Sequence, residues 1–141
     1  MSPAKKIRVA VNGYGVIGKR VADAVALQDD MELAGVADIS VDWRSRMAIH
    51  KGFRLHGATA EHAEAMRKAG LDIAGNLDDL LAASDLVVDC TPKRNAAVNV
   101  DIYRRGGIKF IVQGGEKHEV TGHSFVAEAS YATALNRDST R

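Results

Sequence analysis

The chain has 141 residues, a length that fits one domain with a sizeable hydrophobic core. Its 19 basic and 18 acidic side chains give a formal net charge of +1 at pH 7, which offers no electrostatic reason to expect nucleic acid or a membrane surface as a partner. The single cysteine, Cys90, excludes an internal disulfide. No apolar stretch near the N-terminus resembles a signal peptide or membrane span. We therefore expect a cytoplasmic protein.

The first predicted elements are a strand over residues 7–12 and a helix over residues 16–28. Between them Gly13, Gly15 and Gly18 follow the G-x-G-x-x-G spacing. The first glycine permits a tight turn, the second lets backbone N–H groups approach a pyrophosphate, and the third lets the helix pack closely on the strand. The phosphates would lie at the helix N-terminus, where unpaired N–H groups favour an anion.

A second predicted strand covers residues 32–37 and ends at Asp38, 20 residues beyond Gly18. A carboxylate at this position typically accepts hydrogen bonds from the adenosine ribose of a dinucleotide. The alternative is a purely structural glycine turn, but the full order of strand, turn, helix, strand and acid favours dinucleotide binding. We therefore predict cofactor contacts from Asp38 and from the whole turn: Gly13, Tyr14, Gly15, Val16, Ile17 and Gly18.

The rest of the chain continues to alternate helices and strands. Helices are predicted over residues 43–51, 60–69, 77–82, 95–105 and 127–135, the first capped by Asp42 and the third by Asn76. Strands are predicted over residues 71–74, 86–89 and 108–112, residues 124–126 form a brief extended piece, and residues 54–56 are ambiguous.

This alternation predicts an α/β fold with a doubly wound parallel sheet, a Rossmann dinucleotide-binding domain that occupies residues 1–141. About five strands are visible where the full fold commonly has six, so we expect the sheet to be incomplete at the C-terminus. Ligands of such sheets bind at the carboxyl ends of the strands. We therefore expect two further strand ends to join the glycine turn in one crevice, with cofactor contacts from Thr91, Pro92, Gln113, Gly114 and Gly115. The histidines show no metal-ligand spacing, and no metal site is predicted.

Three motifs together carry a resemblance to a known family. They are Val-Asn-Gly-Tyr-Gly-Val-Ile-Gly-Lys-Arg-Val-Ala-Asp at 11–23, Asp-Cys-Thr-Pro at 89–92 and Gln-Gly-Gly-Glu-Lys-His-Glu at 113–119. Over essentially its whole length the chain resembles the archaeal-type (type II) phosphorylating glyceraldehyde-3-phosphate dehydrogenases. That resemblance implies oxidation of glyceraldehyde 3-phosphate to 1,3-bisphosphoglycerate with NAD or NADP and phosphate, a step of glycolysis and gluconeogenesis, through a thioester on a cysteine. It also implies that this chain is the cofactor domain.

The resemblance implies no catalytic residue in this chain. The family's nucleophilic cysteine stands a few residues beyond the position of Arg141, and its histidine base and substrate-phosphate ligands belong to the following domain. We therefore expect the 141 residues alone to be inactive. We also expect the face meant for the absent catalytic domain to be apolar and to promote self-association. Cys90 matches the family's Asp-Cys-Thr-Pro position, not its nucleophile, and a structural role is predicted for it.

The choice of cofactor depends on the residues after the second strand. Family members that use NADP tend to carry a Thr-Lys pair where this chain has Ala37-Asp38. The Asp38 carboxylate would bind the ribose hydroxyls of NAD and repel the 2′-phosphate of NADP, so NAD is the first choice. Arg44 and Arg46 lie close enough in sequence to bind that phosphate. We favour a solvated helix face for both arginines, and NADP use stays open.

Two other functions share much of this pattern. One is a stand-alone NAD(H)-binding regulatory module that passes a signal to a partner without catalysis. The other is a different oxidoreductase with the same opening, such as a homoserine or dihydrodipicolinate type. The stretch from Gln113 to His118 argues against the second.

Overall fold

The computed structural model describes residues 4–113 and 115–141. Its strands are Ile7–Asn12 (β1), Met31–Asp38 (β2), Leu55–Gly57 (β3), Gly75–Asn76 (β4), Leu86–Asp89 (β5), Lys109–Val112 (β6) and Ser139–Thr140 (β7). Its α-helices are Val16–Ala26 (α1), Trp43–His50 (α2), Ala60–Lys68 (α3), Leu77–Ala82 (α4), Asn95–Arg105 (α5) and Ala127–Ala134 (α6). A short 3-10 helix, His118–Val120, follows β6.

All strands join one sheet in the order β4-β3-β2-β1-β5-β6-β7, and every neighbouring pair is parallel. The order from β3 through β7 is that of the six-stranded dinucleotide-binding fold, with β4 added at one edge. The chain starts in the middle of the sheet and winds outward first to one side and then to the other. This is the doubly wound α/β fold that the sequence predicts.

Alternation along the central strand β1 sends side chains to both faces of the sheet. Val9 and Val11 pack on the face covered by α1, whereas Ala10 packs on the other face with Leu80 of α4 and Val100 of α5. Each of these side chains is almost completely buried. A sheet covered by helices on both faces needs apolar residues at consecutive strand positions, which explains the near-continuous apolar runs in β1 and β5.

Two predicted helix caps are confirmed. The Asp42 carboxylate accepts a hydrogen bond of 2.9 Å from the backbone N–H of Arg44. Asn76 and Asp79 exchange side-chain and backbone hydrogen bonds in a capping box at the start of α4. These bonds satisfy backbone donors that the first turn of a helix leaves free.

The edges of the sheet differ from the prediction. Residues 71–74 are not a strand, because Leu71 turns into the core and pairing begins only at Gly75. The ambiguous residues 54–56 become β3, displaced by one residue. Residues 124–126 pair with no strand, and within them Val126 has the expected extended backbone, with φ −132° and ψ 119°. The expected gap at the C-terminal edge is filled, because Ser139–Thr140 pairs with β6.

Within residues 4–113 and 115–141, no helix combines the length and the hydropathy that a membrane crossing would need.

Candidate functional site

A cleft of about 490 Å³ opens at the carboxyl ends of β1, β2, β5 and β6. Most of the predicted contact residues line it together: the turn from Gly13 to Ile17, then Asp38, Thr91, Pro92 and Gln113. The strand order explains this convergence, because parallel neighbours end at the same edge of the sheet. The cleft therefore has one wall from β1 and β2 and an opposite wall from β5 and β6.

The glycine-rich turn between β1 and α1 is packed too closely for side chains at two of its positions. Gly13 has a φ of +94°, and a Cβ there would lie 2.9 Å from the carbonyl carbon of Cys90. A Cβ at Gly18 would lie only 1.7 Å from the carbonyl oxygen of Gly13. Gly18 does not line the cleft; its role is to let α1 approach the turn. Glycine is required at both positions by the fold itself.

Gly15 differs from the other two glycines. It is the N-cap residue of α1, and a Cβ there would meet no atom within 4 Å, so this position faces open space in the cleft. The first turn of α1 has no side-chain cap and no acidic residue. Its backbone N–H groups are thus left for an outside acceptor, and with the helix dipole they favour an anion in front of Gly15.

Tyr14 contributes backbone but no side chain to the cleft. Its ring is fully buried in the core with Val36 and Leu55, and this burial raises the pKa of its phenol. Its backbone N–H donates a 2.8 Å hydrogen bond to the carboxylate of Asp38. The exposed side chains of the turn are those of Val16 and Ile17, which form an apolar part of the cleft lining.

Asp38 links the end of β2 to the glycine-rich turn through hydrogen bonds. Its carboxylate is 9% exposed and accepts three backbone N–H bonds: from Tyr14 at 2.8 Å, Ile39 at 2.6 Å and Ser40 at 3.1 Å. A carboxylate has about four acceptor positions, so the Asp38 side chain keeps about one for a ligand in the cleft. Its orientation is fixed before any ligand arrives.

Arg44 lies in the cleft wall, which corrects the prediction of a solvated face for that side chain. Its Nε and Nη2 atoms both donate to Oδ2 of Asp42, at 2.9 and 2.6 Å. Arg46 is exposed and does not line the cleft, as expected. The signal for Arg44 was the Asp42 cap, because a helix that starts just after β2 turns its first residues toward the carboxyl edge of the sheet.

Several lining residues were not predicted as contacts. They come from the ends of β1, β2, β3 and β5 and the starts of α2 and α5: Asn12, Ile39, Ser40, Arg44, Ala58, Cys90 and Asn95. Three of them, Asn12, Ile39 and Cys90, directly adjoin a predicted residue in sequence. Only Ala58 comes from a strand end that the sequence left ambiguous.

The opposite wall is held by a buried carboxylate at the end of β5. Asp89 is completely buried and accepts bonds from the Thr91 N–H at 2.9 Å and the Thr91 hydroxyl at 2.5 Å. Its other oxygen accepts from Asn99 at 2.9 Å and from the Tyr103 hydroxyl at 2.6 Å. These bonds fix the backbone of the turn that carries Thr91 and Pro92 into the cleft.

The thiol of Cys90 is partly buried beside this carboxylate. Burial, with the charge of Asp89, raises the pKa of Cys90 to about 12. A thiol with that pKa stays protonated at neutral pH and is a poor nucleophile.

The end of β6 completes this wall. Gln113 lines the cleft, and its N–H donates to the Asp89 carbonyl at 2.8 Å. Gly115 lies outside the lining, near the side chain of Lys93, and Gly114 falls outside the described residues. Across residues 4–113 and 115–141, no three His, Cys, Asp or Glu side chains are grouped so that they could hold a metal ion.

A parallel sheet of this order, with a glycine-rich turn after the first strand and an acid after the second, defines a dinucleotide-binding domain of the Rossmann class. Residues 7–121 match the family described as "Dihydrodipicolinate reductase, N-terminus". The chain belongs to this family of N-terminal domains.

Individual relatives carry another name. The chain is 50% identical over 136 residues to the glyceraldehyde-3-phosphate dehydrogenase of Methanococcoides burtonii, covering 96% of this chain and 40% of the relative. It is 48% identical over 133 residues to that of Methanothermus fervidus, covering 94% and 40%. The resemblance found in the motifs is confirmed, and the chain spans about 40% of the length of these relatives.

Among solved structures, the fold is similar to that of a 3-ketoreductase from Actinomadura kijaniata in complex with NADP. The TM-score is 0.50 at 19% identity, covering 94% of this chain and 36% of the other. This similarity supports the fold assignment.

Proposed function

We propose that this chain is the NAD(P)-binding domain of a phosphorylating glyceraldehyde-3-phosphate dehydrogenase. The observation that carries the proposal is the open position in front of Gly15, at the uncapped N-terminus of α1. This position lies in a cleft that extends to Thr91 and Gln113. Identity near one half with the N-terminal part of two such enzymes supports the assignment of the reaction. When bound, the nicotinamide ring supplies the hydride acceptor for oxidation of the aldehyde.

The residues of the cleft divide between the parts of a dinucleotide. The N–H groups at the start of α1 bind the pyrophosphate, and the absence of a Cβ at Gly15 leaves space for it. Asp38 accepts a hydrogen bond from the adenosine ribose with its remaining acceptor position. The nicotinamide half then extends across the ends of β1 and β5 toward Thr91, Pro92 and Gln113.

The preferred cofactor is NAD. The Asp38 carboxylate would lie beside a 2′-phosphate and repel it. Arg44 lines the same cleft, but its Nε and Nη2 atoms donate to Asp42, and this ion pair partly neutralises its charge. Arg44 is therefore a weaker compensation for a phosphate charge, which supports NAD over NADP.

The substrate half of the reaction belongs to a second domain. In the family that the chain resembles, the nucleophilic cysteine follows shortly after the position of Arg141. The strand β7 runs parallel to β6, so Arg141 lies at the edge of the sheet that carries the cleft. This direction supports delivery of a substrate-bearing segment to the nicotinamide half. The 141 residues alone would bind the cofactor without turnover.

Self-association through an apolar face also stays a prediction. A groove of about 230 Å³ lies between α6 and β6, away from the cleft. Its apolar lining is Leu86, Phe110, Ile111, Phe125, Tyr131 and Leu135. Tyr131 and Leu135 are more than half exposed. Because exposed apolar patches often mark interaction surfaces, this exposure supports the proposal that a second domain would cover the groove.

Calorimetric titration of the wild type and a Gly15→Val variant with NAD⁺ and NADP⁺ tests the proposal. The valine side chain would enter open space, so the fold should persist while the pyrophosphate position is blocked. We expect NAD⁺ to bind the wild type more tightly than NADP⁺, and the variant to lose affinity for NAD⁺ by at least about tenfold.

Gly106→Ala is the matched control, since Gly106 has a helical φ of −76° and lies at the far end of α5. It should bind like the wild type. Equal affinity of the Gly15→Val variant and the wild type would contradict the placement of the pyrophosphate, and no binding by the wild type would contradict the function.

A further inference from the structure

The proposed function leaves one buried charged group without a role. Asp89 is completely buried at the end of β5 and does not line the cleft, whereas the next three residues, Cys90, Thr91 and Pro92, do. A buried carboxylate is costly unless it is fully hydrogen-bonded. The partners of Asp89 therefore decide which form of the side chain this site accommodates.

The hydrogen bonds identify the carboxylate as ionised. The Thr91 N–H and the Asn99 amide N–H can only donate. The Tyr103 oxygen accepts from Asn12 at 2.8 Å, so its own proton is directed at Asp89. With a fourth donor in the Thr91 hydroxyl, both oxygens of Asp89 act as acceptors, as in a carboxylate.

All of these donors are neutral. Among the described residues, none of the ion pairs includes Asp89, and the nearest basic residues in sequence, Lys93 and Arg94, are exposed. The negative charge is therefore stabilised by hydrogen bonds without being cancelled by a cation. Burial raises the pKa values of Cys90 and Tyr103, and the charge of Asp89 is a second cause at both.

The carboxylate of Asp89 lies next to the cleft wall. Its Oδ1 accepts hydrogen bonds from the N–H and the hydroxyl of Thr91, and Thr91 lines the cleft. This wall is opposite Asp38, which marks the adenosine end. The charge therefore acts on the nicotinamide end, where the oxidised ring carries one positive charge and the reduced ring carries none.

We infer that Asp89 is a specificity-determining residue that makes the cleft favour oxidised over reduced nicotinamide dinucleotide. The inference rests on the proposed function. A negative charge held in a poorly hydrated wall attracts a cationic ring more strongly than a neutral one. The domain would thus take up NAD⁺ readily and release NADH after hydride transfer.

The test is the ratio of the NADH and NAD⁺ dissociation constants, measured by calorimetry on the 141-residue chain. Asp89→Asn removes the charge and keeps the shape, but it also places an amide N–H₂ group where one carboxylate oxygen accepts two hydrogen bonds. Tyr103→Phe breaks the same hydrogen-bond network but keeps the charge, so it serves as the matched control. We expect the wild type to bind NAD⁺ more tightly, Asp89→Asn to shift the ratio toward NADH by about fivefold, and Tyr103→Phe to change it by less than about twofold.

Three results would overturn the inference: tighter binding of NADH by the wild type, an unchanged ratio in Asp89→Asn, or an equal shift in both variants, which would indicate a purely structural network. Should Asp89→Asn fail to fold, the wild-type ratio and the Tyr103→Phe ratio decide. Absence of binding of both forms by the wild type would contradict the proposed function as well, whereas the other outcomes concern Asp89 alone.

Discussion

At the scale of single residues, the cleft separates groups that look alike in sequence. Gly15 and Gly18 both belong to the glycine motif, yet one faces open space and the other lies against the carbonyl oxygen of Gly13. Tyr14 and Ile17 both lie between glycines of the motif, yet the tyrosine ring is buried and the isoleucine is half exposed. The motif predicts the turn but not the direction of its side chains, because that direction depends on the core behind it.

The raised pKa of Cys90 gives a residue-scale prediction. With a pKa of about 12, the native thiol has a thiolate fraction at pH 8 that is lower than that of an ordinary cysteine on the order of a thousandfold. We expect a colourimetric disulfide reagent to label the native protein far more slowly than the protein unfolded in urea. Cys90 is the only cysteine, so the signal is unambiguous. Equally fast labelling of both states would refute a buried, structural thiol.

At the scale of elements, an ion pair and backbone hydrogen bonds between Arg8 and Asp85 link the start of β1 to the start of β5. The Arg8 guanidinium donates to Asp85 at 2.7 and 3.1 Å, and the Arg8 N–H donates to the same carboxylate at 2.9 Å. Asp85 precedes β5, and its own N–H donates to the Arg8 carbonyl at 2.8 Å. The hydrogen bonds and charge of Arg8 hold the pKa of Asp85 well below its usual range.

This lowered pKa predicts a pH-dependent contribution to stability. The unfolded Asp85 has a pKa of about 3.9, so the ion pair contributes fully above that pH and is lost as the pH falls toward the lower folded-state pKa. Thermal unfolding of wild type and Asp85→Asn should therefore differ at pH 7 and converge at strongly acidic pH. Asp72→Asn is the control, an exposed loop acid without an ion pair among the described residues. A difference that persists undiminished into acid would contradict the assignment.

The elements also indicate how far the sequence alone predicts this fold. The first strand, turn, helix and second strand were predictable because their apolar periodicity and glycine spacing are local features. Strands β4 and β7 were not, since each is two residues long and lacks a strand-like composition. Their extended conformation is set by pairing with β3 and β6, a tertiary effect that overrides local propensity.

At the scale of the whole molecule, the location of the cleft was easier to predict than the positions of the charged side chains in and behind its walls. Parallel strands end at one edge, so the convergence of three sequence segments followed from the fold alone. The placement of Arg44 and the burial of Asp89 did not, because both depend on partners distant from the motifs: the cap of α2 for one and the α5 side chains for the other.

Amide chemical-shift mapping by NMR during titration with NAD⁺ tests whether the cleft binds a dinucleotide across both of its walls. We expect saturable shifts at both walls of the cleft, from Gly15 to Gly18 on one side and at Thr91 and Gln113 on the other, because one dinucleotide spans both. Amides of α3 and α6, which do not line the cleft, should not move. Absence of saturable shifts, or shifts confined to residues outside the cleft, would contradict dinucleotide binding in this cleft.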